Sequence, residues 1–318
     1  MALASPPQQI RIMTYNVENL FDTKPDSGKN DQTYLPIAKK RQKAHIQTCN
    51  KIQIKKYRQS CLTLNWDDDT LQAKTNAIAA TINSLKPAAD IVILQEVENL
   101  RVLQQLNRQL KNHQYHEILL EGSDQRGIDV AMLSKYPLNK PAKLHRIAFS
   151  KKMKRPTREI LEAQFKVFGQ TVTVFGVHFP SPSNPRHLRI EAMKFLTQVA
   201  KQASKSSQLV LAGGDFNVTA QEDSRIYRGI AAKDWQVGHL IGCHLCKGTN
   251  YYGRYDSWSF LDNIMQLRQK NSTWSMIPQS IHIPQAAHQV TKKNRPKRFN
   301  ANSGLGASDH LPVVANVR

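Results

Sequence analysis

No stretch of this 318-residue chain approaches the roughly 20 consecutive apolar residues that a membrane helix needs, so no membrane-spanning helix is expected. Three catalytic signatures are also missing. There is no Walker-type phosphate loop, no H-E-x-x-H and no G-x-S-x-G, which leaves NTPase, zinc-protease and serine-hydrolase readings without support. No internal repeat is visible. Acidic residues are scarce, 24 against 45 Lys plus Arg, which leaves a formal charge of +21 and a pI near 9.9. A surplus of that size attracts polyanions such as nucleic acid or an anionic membrane surface; solubility alone is the rival explanation.

Cysteine is sparse as well. Cys49, Cys61, Cys243 and Cys246 form two close pairs, open to two readings: two local disulfides, or a four-thiolate zinc site. The Cys49–Cys61 spacing suits zinc poorly, so disulfides and an oxidising compartment are expected. Met1-Ala2-Leu3-Ala4-Ser5 resembles the stub of a signal cleavage site, without a charged or apolar region before it. A secreted or periplasmic location is the expectation.

What is present is a mixture of apolar strands and amphipathic helices. Hydrophobic residues make up 40%, enough for one large core or two modest ones. After a Pro/Gln-rich tail (residues 1–9), Ile10 to Tyr15 alternates as a strand does. The polar, basic stretch from about residue 24 to 70 reads as an inserted loop region with one short helix. Helices are predicted over Leu71 to Leu85, Asn99 to Leu110 and Arg186 to Ser204. Buried strands are predicted at Asp90 to Gln95 and Gln208 to Gly213, with further strands at Ile128 to Leu133, Ile160 to Phe168 and Thr171 to His178. The class is mixed α/β, in a single domain over residues 10–318. Basic residues cluster in three groups, all placed on loops: Lys39 to Arg58, Lys151 to Arg158, and Lys292 to Arg298. Together they suit a surface that tracks phosphates, with affinity that falls as salt rises.

Polar residues recur at the ends of the apolar strands. Asn16 and Glu18 follow the first strand, Glu96 follows the Ile91 run, His178 ends its strand, and Asp215 and Asn217 follow Leu209 to Gly214. Asp262 follows Trp258 to Leu261, and Asp309-His310 precedes Leu311 to Val314. Each alone could be a cap or a turn former. Strands packed side by side would gather them into one acidic rim. Oxygen donors from Asp, Glu and Asn suit Mg²⁺, with Mn²⁺ or Ca²⁺ as alternatives. Such a metal stabilises phosphate charge, and a His paired with a carboxylate can activate or orient water.

Five segments in order carry a family resemblance: Thr14 to Phe21, Leu94 to Glu98, Gly127 to Ala131, Gly214 to Asn217, and Ser308 to Pro312. They resemble the motifs of the endonuclease/exonuclease/phosphatase superfamily. That resemblance implies a four-layer α/β sandwich, two packed mixed sheets flanked by helices. It also implies site roles. Glu96 matches the principal metal ligand, with Asn16, Glu18 and Asp309 assisting. Asp215 and Asn217 match the pair that positions the nucleophilic water and the scissile phosphate, and His310 pairs with Asp262. His178 matches the second His of deoxyribonuclease I-like members, and Arg158 their phosphate-contacting Arg.

The implied activity is metal-dependent hydrolysis of DNA or RNA phosphodiester bonds, endonucleolytic, with nucleic acid as substrate. A sphingomyelinase-like or other small-molecule phosphodiesterase or phosphatase is the alternative, and a catalytically silent binding module a third reading. Tyr251-Tyr252 and Trp258 are candidates for a membrane-inserting loop, although Trp258 reads better as core. Ala212-Gly213 and Leu261-Asp262-Asn263 depart from the inositol-phosphatase pattern. The charge of +21 suits a nucleic-acid backbone better than a zwitterionic lipid.

Overall fold

A computed structural model describes residues 8–110, 114–150, 157–270 and 272–318. The chain opens with β1 (Ile10–Leu20), then three short helices, α1 (Ile37–Lys40), α2 (Lys43–Asn50) and α3 (Lys55–Thr63), and the longer α4 (Asp68–Asn83). β2 (Ile91–Val97) and α5 (Leu100–Asn107) lead to β3 (His116–Leu119), β4 (Asp129–Ser134) and β5 (Leu138–His145). The hairpin of β6 (Ile160–Val167) and β7 (Gln170–His178) precedes α6 (Arg186–Ala203) and β8 (Leu209–Asp215). There follow α7 (Ala220–Asp223), β9 (Trp235–Val237) and α8 (Gly238–Ile241). The last elements are β10 (Asn250–Tyr252), β11 (Ser257–Ser259), β12 (Asp262–Leu267) and β13 (Val313–Val317).

Two large mixed sheets result. One has the order β13-β1-β2-β4-β3, the other β5-β6-β7-β8-β12-β9, and β10-β11 is a separate hairpin. Alternation along each strand sorts side chains into layers. Ile10, Ile12, Ile91 and Ile93 meet Val172, Val174, Leu209, Leu211 and Ile264 between the sheets. Met13, Tyr15, Val92 and Leu94 point the other way, onto Leu71, Ile78, Leu103 and Leu106 of α4 and α5. Val210 and Ala212 pack on Ala192, Met193 and Leu196 of α6. The architecture is therefore the expected four-layer sandwich.

Caps fix the helices that cover the first sheet. Asp67 accepts a hydrogen bond from Thr70 N and Asn99 one from Val102 N, each satisfying a donor that the first turn leaves open.

The stretch expected to be loop with one short helix instead holds α1, α2 and α3. Its apolar stripe is too narrow to announce helices: only Leu35, Lys40, His45, Cys49 and Cys61 among residues 35–63 are buried. Long unbranched Lys, Arg and Gln side chains nevertheless favour helix. A Cys49–Cys61 disulfide clamps α2 to α3, and a second joins Cys243 to Cys246, as the disulfide reading expected. Most of the first basic group thus projects from helices rather than loops. Lys151, Lys152, Lys154 and Arg155 of the second group lie outside the described residues. The third group does sit in irregular chain. Among the described residues, no helix is long and apolar enough to cross a membrane.

Candidate active site

Strand register brings the site together. Thr14 and Asn16 share the inward face of Ile10 and Ile12, so the apolar floor between the sheets becomes polar at its end. The same alternation turns His178 inward on β7, Asp215 on β8 and Asp262 on β12. β7 and β8 run parallel with His178 opposite Asp215, and antiparallel β12 sets Asp262 opposite Asp215 from the other side. Asp262 was expected to close a strand; it opens one. Because β12 runs against β8, a strand start lies beside a strand end.

Glu96 needs a further device. Strict alternation would turn it toward the helices with Val92 and Leu94. The β2 register slips between Gln95 and Val97, and Glu96 adopts φ +66°, which turns its carboxylate into the site. Glu18 and Asn217 also have positive φ, 52° and 53°. Backbone strain of this kind gathers where a structure fixes a side chain for use.

Inside the site, Asn16 Nδ2 donates to Asp215 Oδ2 at 3.0 Å and lies 3.5 Å from Glu96 Oε1. The backbone N–H of Asn19 donates to Glu96 Oε2 at 2.9 Å. His178 Nε2 stands 3.5 Å from Asp215 Oδ2 and 3.9 Å from Glu96 Oε1, while its buried Nδ1 has no hydrogen-bond partner among the described residues. His310 Nδ1 donates to Asp262 Oδ2 at 2.6 Å. Ser308 Oγ orients that dyad, accepting from His310 N and donating to the Asn16 carbonyl. Asp215, Asp262 and His310 set ligand atoms within 4.8 Å of one another. Asn217 Nδ2 and Arg158 Nη2 both donate to the Phe179 carbonyl, at 3.0 and 2.8 Å, and Arg158 Nη1 faces Asp124 at 3.4 Å.

The residues expected to hold a metal are divided by a guanidinium. Arg298 Nε lies 2.9 Å from Glu18 Oε1 and donates to Asp309 Oδ2 at 3.2 Å. Beneath them Lys74 is buried, donates from Nζ to the Ala307 carbonyl at 2.6 Å, and lies over the Phe299 ring. Neither cation was singled out from sequence as a site residue. Lys74 had a signal, since it sits on the apolar stripe of α4 between Leu71 and Ile78. Arg298 had none beyond its membership of the third basic group.

Burial and charge set the protonation states. Burial raises Asp215 to about 7, with the His310 charge opposing and Asp262 adding. Burial and the Asp309 charge raise Glu18 to about 7. Burial works against an imidazolium at His310, yet the charge and hydrogen bond of Asp262 outweigh it and hold His310 well above the usual histidine range. His178, buried beside Arg158 and Arg126, is held well below it. The site therefore contains one cationic and one neutral imidazole.

The β10–β11 hairpin borders the dyad: Asn250 pairs with His310 and donates to the Asp309 carbonyl at 2.9 Å. Trp258 is half-buried on this hairpin, tilted against Tyr251 at 5.4 Å, and does not belong to the core as expected.

Solved structures share this architecture. A truncated TDP2 of Caenorhabditis elegans superposes with a TM-score of 0.58 at 14% identity, covering 97% of each chain. A TDP2 of D. rerio complexed with single-strand DNA product gives 0.58 at 16% identity, over 98% of this chain and 99% of that one. A mannosyl-6-phosphatase of Bacteroides thetaiotaomicron gives 0.59 at 13%, over 97% and 99%. At these identities the likeness speaks for the fold. No curated protein matches the sequence. The profile of the Endonuclease/Exonuclease/phosphatase family matches residues 55–318, and the chain belongs to that family, whose members hydrolyse phosphate esters.

Proposed function

We propose that this protein is a metal-dependent endonuclease that hydrolyses phosphodiester bonds of DNA or RNA. The observation that carries the reading is the His310–Asp262 dyad standing beside Asp215 in a protein of charge +21. A dyad of that kind suits a reaction that builds negative charge on phosphoryl oxygens. The surrounding cationic surface suits a polyanionic chain more than a small neutral lipid.

The donor set fits a hard divalent ion. Among the described residues Glu18 Oε2 is buried without a hydrogen-bond partner, and Glu96 and Asp309 add only oxygen donors, whereas the Asn16 carbonyl oxygen accepts from the Glu18 N–H and its Nδ2 faces Glu96. When bound, such an ion neutralises a phosphate oxygen and the charge that gathers on the leaving oxygen. The chain's own groups do the rest. Asp215 and Asn217 hold the attacking water. Asp262 keeps the His310 ring charged and oriented, with Nε2–H free to donate to a phosphoryl oxygen. Arg158 anchors the Phe179 carbonyl that Asn217 also uses, and so fixes the Asn217 amide.

Plasmid DNA incubated with Mg²⁺, with and without EDTA, beside a sphingomyelin assay, tests the proposal. Metal-dependent nicking that weakens steeply with salt is the expected result. Intact plasmid with hydrolysed lipid would replace the nuclease with a small-ester phosphodiesterase. His310→Ala is expected to lower turnover by roughly 10²–10⁴-fold, the range for one acid–base group, with an unchanged circular-dichroism spectrum.

A further inference from the structure

One cavity of the molecule belongs neither to the dyad nor to the acidic rim. It holds about 280 Å³ and lies between the loop closed by the Cys243–Cys246 disulfide, the β10–β11 hairpin and the segments that carry His282 and Asn294. Trp258, Lys247, His282, Gln285 and Asn294 line it, and no acidic residue does. The indole is held in place. Trp258 tilts against Tyr251 at 5.4 Å, and the Arg295 guanidinium lies 3.9 Å over the Tyr251 ring. The backbone around the cavity is pinned as well, since Thr249 N donates to the Ser259 carbonyl and His282 N to the Val314 carbonyl. Such a cavity is smaller than the roughly 300–1,000 Å³ that takes a drug-sized ligand. It has room for one flat ring system.

We propose that this cavity receives one unpaired nucleobase of the strand whose phosphate lies at His310, so that the protein favours single-stranded over fully paired nucleic acid. Aromatic faces stack on any base, side-chain amides offer both donors and acceptors to a base edge, and the Lys247 charge attracts the adjoining phosphate. A choline headgroup would instead meet Lys247 with like charge and find no carboxylate in the lining. Position supports the same occupant. Trp258 pairs with Tyr251, and Asn250, beside Tyr251, pairs with His310. Two strand spacings and one residue step set the Trp258 backbone roughly 10 Å from that of His310. In a duplex each base is locked in the stack, and successive phosphates of one strand advance only about 3.4 Å. A base reaches sideways over that distance only when it has left its pair.

The inference rests on the nuclease reading above, and its test separates the two. The full chain is mixed in EDTA with DNA oligonucleotides carrying 2-aminopurine, as single strands and as duplexes, and the fluorescence is followed. The expected result is quenching by stacking with the single strand and little change with the duplex. Trp258→Ala is expected to weaken single-strand binding about 5–150-fold, the range for one stacked base, and Trp258→Phe to restore part of it. Gln285→Trp, at an exposed position on the lining, fills the cavity and is expected to abolish the quenching without touching the hairpin. Equal quenching by strand and duplex, or quenching that survives both W258A and Q285W with unchanged circular dichroism, would overturn the proposal. Recovery of the fluorescence on adding sphingomyelin vesicles would reassign the cavity to a lipid headgroup. Quenching that behaves as expected, but without Mg²⁺-dependent cleavage of either form, would keep the base site and sink the endonuclease reading.

Discussion

A Cβ on Gly214 would run into the carbonyl oxygen of Val177, and φ at this position is +147°, where side chains are rarely tolerated. The next residue is Asp215, so any backbone shift that relieves the clash displaces the acid. Gly214→Ala is expected to cost on the order of 1–3 kcal/mol and to reduce turnover together with stability. Urea unfolding read beside plasmid nicking checks this; full stability with full activity would remove the strain argument. Single residues were legible in the sequence to different degrees. Asn16, His178 and Asp215 could be read because each ends an apolar alternation on its inward face. Glu96 was found by its motif, but its inward turn depends on a bulge that periodicity does not report. The Arg298–Glu18 pair joins residues on distant parts of the chain, and no local pattern connects them.

Among the elements, the α2–α3 unit departs most from what the sequence announced. Strands and covering helices were readable from long apolar runs, and their four-layer packing was what the family resemblance implied. The α2 and α3 helices have almost no core; a covalent bond between Cys49 and Cys61 and a hydrogen bond between His45 Nε2 and the Cys61 carbonyl at 2.9 Å join them. A cross-link over so short a loop is worth about 3 kcal/mol in the chain-entropy account. That figure applies to the local unit, because the sheets and the α4, α5 and α6 layers bury their own apolar surface. In Cys49→Ser/Cys61→Ser, protease cleavage between Lys39 and Arg58 is therefore expected to accelerate, while the main unfolding transition holds its midpoint. Mass mapping of limited-digestion products reads the first effect and calorimetry the second. Equal resistance in both proteins would mean that packing, rather than the disulfide, holds the unit.

The molecule as a whole carries several buried carboxylates whose charged form is disfavoured. Burial raises Asp129 and Asp215 to about 7 and Glu98 to about 9, in each case as the largest influence. An acid with a raised folded-state pKa binds more protons folded than unfolded between the two values. Stability from such a group falls as pH rises through that interval. The raised His310 adds to the same trend, since its contribution is lost as pH climbs through its folded value; the lowered His178 opposes it. Metal-free protein is accordingly expected to melt at a lower temperature at pH 8 than at pH 5. Mg²⁺ should recover part of the difference by favouring the ionised site. Thermal scans in EDTA across that range decide it, and a midpoint that rises with pH would contradict the assignment of these groups.

The groups expected to act on the phosphate come from both sheets: Asn16 and Glu96 from one, His178, Asp215 and Asp262 from the other. Neither sheet alone holds a working set. A chain whose halves have formed but not yet docked can bind nothing in the geometry that cuts. For a protein proposed to cut nucleic acid, the acidic rim then exists only where the two sheets are docked, so whatever loosens their packing disarms the site before it unfolds either sheet.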